Sequence, residues 1–144
     1  KAYEHNTPTA AERIQAAAQV WNAGYPMGFI IAPIFRIEDW QREYGNLFLS
    51  LKKHLTESAP DKWAGNDLTF EFITHRFTAR AKTNIQNVFP QTRLPMEESE
   101  RKFKYGQFGY GKYLYQPEEM QELKVFFQKL TELHFPEAQC EYFV

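Results

Sequence analysis

An α/β fold, laid out as the later segment of a parallel (β/α) barrel, is what this sequence predicts. Helical and strand periodicities alternate through residues 9–88. Apolar segments at 27–35 and 68–73 have the length of strands. From residue 101 the pattern changes to a segment rich in glycine and aromatics, followed by a helix and a short apolar end.

The elements follow in order. Thr9 and Glu12 have the spacing of a capping box, and Ala10, Ile14, Ala17, Ala18 and Trp21 recur at helical spacing up to a stop at Gly24. Residues 27–35 (MGFIIAPIF) are apolar in both parities, which predicts a parallel strand covered on both faces. Trp40, Tyr44, Leu47, Phe48, Leu51 and Leu55 share one face of a second helix. Residues 58–66 read as a loop around Pro60 and Gly65. Residues 68–73 (LTFEFI) alternate as a strand. Thr78 then caps a third helix with Ala81, Ile85 and Val88 facing inward. Residues 101–115 (RKFKYGQFGYGKYLY) predict two short strands and a glycine-rich turn. Pro117 opens a helix whose apolar positions are Met120, Leu123, Phe126, Phe127 and Leu130, and residues 138–144 make a final strand. Glu97, Glu98 and Glu100 read as a solvated acidic turn.

Two or three βα units cannot close a barrel, which takes about eight units. The sheet is therefore small and differently covered, or it needs a partner half. The 144 residues fit one domain, and the start at Lys1 rather than Met reads as a trimmed or processed chain. The net charge of -1 excludes general electrostatic binding of nucleic acid, so any such role rests on a local patch. Cys140 is the single cysteine, which excludes an internal disulfide and a cysteine cluster site and favours a reducing compartment, hence the cytoplasm. No apolar run has the length of a membrane span, and residues 1–6 lack the apolar core of a signal peptide.

The hairpin segment carries the strongest chemical signal. Arg101, Lys102, Lys104 and Lys112 are basic, no acid falls between Arg101 and Pro117, and Phe103, Tyr105, Phe108, Tyr110, Tyr113 and Tyr115 interleave with them. Cations can meet phosphates while rings take unstacked bases, at about 1–3 kcal/mol per base. The competing reading is a twisted hairpin whose tyrosines cover the core. On the 68–73 strand, a period of two puts Glu71, Ile73 and His75 on one side and Leu68, Phe70 and Phe72 on the other. If the apolar set faces helices, Glu71 and His75 face a barrel lumen, where Glu71 could bind cofactor or substrate. A carboxylate paired to a neighbouring Arg, Lys or His is the alternative. Arg76 is a candidate phosphate contact, or equally a helix-cap or ion-pair residue. Ala32 before Pro33 lets a ligand approach the backbone, or simply packs tightly. His5, His54 and His134 show no metal spacing, and no phosphate-binding loop, GxSxG or HExxH motif is present.

At GFIIAPIF (28–35), FEFITHRFT (70–78) and KYGQFGYGKYLY (104–115) the chain resembles the spore photoproduct lyase family, from about Thr7 to the closing EYFV. The resemblance implies the C-terminal half of a partial (β/α) TIM-like radical-SAM barrel over residues 1–99. An extension of hairpin, helix and final strand over 100–144 follows. Members of that family carry a 4Fe-4S cluster on a CxxxCxxC loop and cleave S-adenosylmethionine reductively. The resulting radical reverses a methylene-bridged thymine dimer in damaged duplex DNA. Their cysteines lie in the N-terminal half, so this chain is expected to contain no catalytic residue and to need that half as a partner. By the same resemblance, Ala32 takes the backbone contact to the adenine of S-adenosylmethionine. Gln107 and Phe108 take the hairpin-tip positions where the family carries Arg and Tyr. Phe108 keeps a flat ring, whereas Gln107 loses the guanidinium, so another substrate, or a non-catalytic nucleic-acid-binding module, stays open. The expected DNA-binding set is Gln107, Phe108, Lys104, Lys112, Tyr110, Arg76 and His75, and the expected cofactor set is Ala32 and Glu71.

Overall fold

The computed structural model describes residues 6–62, 68–106 and 109–144. Thr9 starts the first helix, α1 (Ala10–Asn22). Its hydroxyl accepts the Glu12 N–H at 3.2 Å, and the Glu12 carboxylate accepts the Thr9 N–H at 2.7 Å. Gly24, at a φ of +93°, turns the chain into β1 (Met27–Ile34). Then come α2 (Trp40–Ser58), a single 3-10 turn (Pro60–Lys62), β2 (Leu68–Thr74) and α3 (Ala79–Val88). A second 3-10 turn (Glu98–Glu100) leads into the hairpin of β3 (Lys102–Tyr105) and β4 (Gly111–Leu114), and α4 (Pro117–His134) and β5 (Gln139–Phe143) finish the chain.

β1, β2 and β5 form one parallel sheet in the order β1-β2-β5. Its two faces differ sharply. The alternation in β2 buries Leu68, Phe70, Phe72 and Thr74 and leaves the residues between them only half-buried. The buried set meets α1, α2 and α4 in a single core with Ile14, Trp21, Phe48, Leu55, Leu123 and Phe127. Phe48 is its centre, wholly buried and stacked 5.3 Å from Phe70. α4 and β5 thus complete the same sheet and core as the elements before residue 99.

Among the described residues no helix covers the opposite sheet face. Cα register puts Gly28, Thr69 and Gln139 in one row and Ile30, Glu71 and Tyr142 in the next. This corrects the expectation for residues 27–35, whose run predicts cover on both sides. Phe29 and Ile31 pack on the core, but Ile30 is 61% exposed on the other side. An all-parallel sheet ordinarily has both faces covered, so composition alone reads Ile30 as buried. β1 is also an edge strand, and a groove of about 580 Å³ runs along it between α1 and α2, past Pro8, Ile14, Phe29, Ile31 and Leu47.

A second correction concerns α3. Thr78 caps it as expected, its hydroxyl accepting the Ala81 N–H at 3.0 Å. No residue of α3 is buried, however, and Val88 is 68% exposed. Its spacing is amphipathic, but it lies beside the hairpin rather than across the sheet. Of the expected 58–66 loop, residues 63–66 lie outside the described residues.

Candidate nucleic-acid and cofactor site

Because the three strands are parallel, their C-terminal ends gather at one end of the sheet. The chain leaves β2 through Thr74, His75 and Arg76, and the hairpin is docked there. Phe77 and Tyr113 exchange backbone hydrogen bonds, at 3.2 Å and 2.7 Å, and their rings stack at 5.2 Å. Arg101 is the buried post of this joint. Its guanidinium donates to the His75 carbonyl at 3.2 Å and the Pro95 carbonyl at 3.0 Å, and it stands 3.5 Å from His75 Nδ1. It also lies over the Tyr115 ring, 3.7 Å from the centroid. The Tyr115 hydroxyl accepts the Arg36 N–H at 2.9 Å, and Arg36 pairs with Glu119 and Glu122 of α4. Tyr44 of α2 accepts the Phe35 N–H in the same way, and burial pushes its phenol up to about 12. The ends of β1 and β2 and the hairpin base are thereby tied into one rigid unit.

The hairpin itself has two chemical faces. Antiparallel pairing sets Phe103 opposite Tyr113, Lys104 opposite Lys112 and Tyr105 opposite Gly111. Alternation then puts Lys102, Lys104 and Lys112 on one face, and Phe103, Tyr105 and Tyr113 on the other. Phe103 contacts Tyr105 at 4.9 Å and Tyr113 at 5.0 Å, both edge-on. Like charges directly opposite on a β-ladder repel. An anion between Lys104 and Lys112 would turn that repulsion into attraction. Tyr105 is 80% and Tyr110 71% exposed, so these rings do not cover the core; Tyr115 alone among the hairpin tyrosines is buried. Gln107 and Phe108, the tip positions, lie outside the described residues.

Gly111 makes the aromatic face possible, since a Cβ there would run into the Phe103 ring. Gly111→Ala is expected to push Phe103 off its neighbours at a cost of about 1 kcal/mol of hairpin stability. Near-UV circular dichroism and the urea midpoint would read it. An unchanged spectrum would mean the ring is not held there.

The other sequence candidates are placed as follows. Glu71 sits half-buried in the middle of the open sheet face, between Ile30 and Tyr142 in register. Among the described residues it has no ion pair, so the expected Arg, Lys or His partner is not found. Ala32 lies at a break in register. Ile31 pairs with Phe72 and Ile34 with Thr74, leaving Ala32 and Pro33 without a partner on β2 and beside the β1 groove. His75 does not stand open to the lumen as predicted. It is 8% exposed, wedged against Phe35 at 4.7 Å and Phe77 at 5.8 Å. Burial, and then the Arg101 charge, lower its pKa to about 4, so the ring is neutral at pH 7. With Arg101 beside Nδ1, the proton of the neutral ring belongs on Nε2. Arg76 is half-buried and unpaired among the described residues.

Two contributors went unread in the sequence. Arg101 counted there only as one more cation of the hairpin. Glu98 counted as solvated, yet it pairs with Lys82 of α3 at 3.2 Å and binds the Tyr113 hydroxyl. These two contacts lower its pKa, and the same carboxylate raises that of Tyr113.

An open parallel sheet with helices on one face, and a hairpin docked at its C-terminal end, is a partial barrel of the radical-SAM kind. The family model for spore photoproduct lyase matches residues 1–144. Spore photoproduct lyase of Clostridium acetobutylicum is 47% identical over 144 residues, covering 100% of this chain and 40% of the relative. That of Bacillus subtilis is 41% identical over 143 residues, covering 99% and 40%. Among solved structures, a double mutant of spore photoproduct lyase with bound AdoMet and dinucleoside spore photoproduct superposes with a TM-score of 0.87 at 43% identity. It covers 96% of this chain and 39% of that one. A complex of the enzyme with dinucleoside spore photoproduct gives 0.87 at 42%, with the same coverage. The chain belongs to the spore photoproduct lyase family, in the radical-SAM superfamily, and matches the C-terminal part of its relatives, about 40% of their length.

Proposed function

We propose that this chain is the C-terminal part of a radical-SAM lyase that reverses the spore photoproduct thymine dimer in DNA. It supplies one barrel wall, the adenine contact for S-adenosylmethionine and the hairpin that probes the lesion. The observation that carries this reading is the position of the hairpin: a basic face and an aromatic face stand together over the open ends of parallel strands, where barrels keep their chemistry. Lys104 and Lys112 would hold phosphates, and Tyr110, with Phe108 and Gln107 at the tip, would meet the separated bases. Arg76 would add a phosphate contact beside the strand end. For His75 we infer a supporting place beneath the hairpin instead of a DNA contact, because its ring is buried and neutral.

The residues at the end of β1 fit S-adenosylmethionine. Ala32 has a small side chain, no register partner and a groove beside it, so its backbone polar groups could read an adenine edge. Glu71, on the same open face, would contact cofactor or substrate. When bound, the cofactor supplies the radical chemistry; this chain holds and orients it. The chain does not fit the 4Fe-4S cluster. Its sequence has one cysteine, and no group of three or more His, Cys, Asp or Glu side chains that could hold a metal occurs among the described residues. The cluster is assigned to the N-terminal half, which would dock on the bare edge of β1. Among the described residues no helix is long and apolar enough to cross a membrane. We place the protein in the cytoplasm, with its DNA substrate.

The test is complementation. The chain alone should release no thymine from lesion-bearing DNA. Adding the N-terminal 60% of the Clostridium acetobutylicum relative, with its cluster reconstituted, should restore reversal. Reversal by the chain alone would sink the reading. Equal and feeble binding of lesion-bearing and intact duplex would favour another substrate, the possibility that Gln107 keeps open.

A further inference from the structure

We infer that α3 and the segment running from it to Arg93 form a second phosphate-binding track, which holds undamaged duplex beside the lesion. The inference rests on the DNA-repair reading above and extends its footprint beyond the hairpin.

Four observations carry it. First, residues 72–96 contain Arg76, Arg80, Lys82 and Arg93 and not one Asp or Glu, in a chain whose net charge is -1. Positive charge is therefore concentrated where the hairpin stands. Second, α3 forms without burying a single residue, so the core does not account for it. Its outward residues include Arg80, Asn84, Gln86 and Asn87, all donors suited to phosphate oxygens and none repelling them. Third, Arg76, Arg80 and Arg93 make no ion pair among the described residues, whereas Arg36, Arg42, Lys53 and Lys82 do. Fourth, the Lys82–Glu98–Tyr113 contacts fasten α3 to the hairpin and occupy the Glu98 carboxylate at the seam between them. The lysine-bearing hairpin and Arg80 of α3 thus belong to one body, with the Glu98 carboxylate at their seam occupied.

The chemistry selects the occupant. Unpaired guanidinium groups and neutral amides suit the sugar-phosphate backbone, and they carry no sequence code. A dinucleoside lesion would touch the hairpin but would not reach α3. Flanking duplex would reach both.

The experiment compares the chain with R80E/R93E and with K124E/K129E. The second pair makes the same change in net charge on α4, across the core from the open face. Fluorescence anisotropy would measure binding of a lesion-bearing duplex and of the dinucleoside spore photoproduct over a range of salt concentrations. R80E/R93E should weaken duplex binding at least about tenfold and cut the slope of log affinity against log salt by about 2, at about 0.9 per phosphate released. It should leave dinucleoside binding as it was. K124E/K129E should leave the slope unchanged. An unchanged slope in R80E/R93E overturns the inference, as do equal losses in both pairs, or capture of phosphatidylglycerol vesicles in place of duplex. If the unmodified chain binds neither lesion-bearing duplex nor dinucleoside, the functional reading fails and this inference falls with it. The substituted side chains are exposed, so thermal melting should match among the three proteins.

Discussion

Arg101→Ala is expected to cost about 3 kcal/mol of stability and to release the hairpin from the sheet. One guanidinium serves the carbonyls of His75 and Pro95 and the face of Tyr115, all in a buried place. Removing it leaves two carbonyls short of a donor and a hole between rings, and each of those losses is itself of order 1 kcal/mol or more. Lysine should restore less than half, since a single ammonium on a flexible stem cannot reproduce the planar fork. Urea unfolding monitored by tyrosine fluorescence would measure the cost. A loss under about 0.5 kcal/mol, the range of an ordinary surface substitution, would show that the hairpin is held by Phe77 and Tyr113 without Arg101.

Lowering the pH from 6.5 to 4 should remove about 3 kcal/mol through His75 alone, at 1.36 kcal/mol per pKa unit. The folded protein holds this ring neutral down to about pH 4, chiefly because it is buried, while the unfolded chain protonates it near 6.5. Between those values the unfolded state binds the extra proton, so stability falls with falling pH. It is complete above about 6.5, and below about 4 this group takes nothing further. His134, lowered by burial and then by Lys52, acts in the same sense. Glu12 and Glu98, also lowered, belong to a more acidic range, below their ordinary value of 4.5. Urea midpoints at pH 7.5 and 5 would show the loss, and His75→Gln should flatten it. A slope that persists in His75→Gln would assign the effect to other groups.

Much of the fold is legible because its signals are local. The Thr9 and Thr78 caps, the alternation of LTFEFI and the stripe from Trp40 to Leu55 each depend on neighbours within a few residues, and each forms as the sequence predicts. What escaped depends on contacts far apart in the chain. Whether β1 is covered on one face or two is decided by which strands and helices surround it, and its own eight residues cannot record that. The spacing of Ala81, Ile85 and Val88 is the same whether a helix crosses a sheet or lies at its rim. Arg101 looks like one cation among four in the hairpin. Its difference, a cage made from residues 75, 95 and 115, is closed only on folding. Glu98 is identified by Lys82 and Tyr113, 16 and 15 positions away on either side.

The sheet of described strands has two unlike flanks: β1, beside an apolar groove, on one side, and β5, whose bulge displaces Glu141 from register, on the other. Because every strand runs in the same direction, two molecules related by a twofold axis cannot join their β1 margins in continuing parallel fashion. Joining β5 of one molecule to β1 of the next repeats head to tail with nothing to stop it, the geometry of a growing fibre instead of a closed pair. A segment seated against β1 would therefore guard the protein against polymerisation as well as extend its sheet.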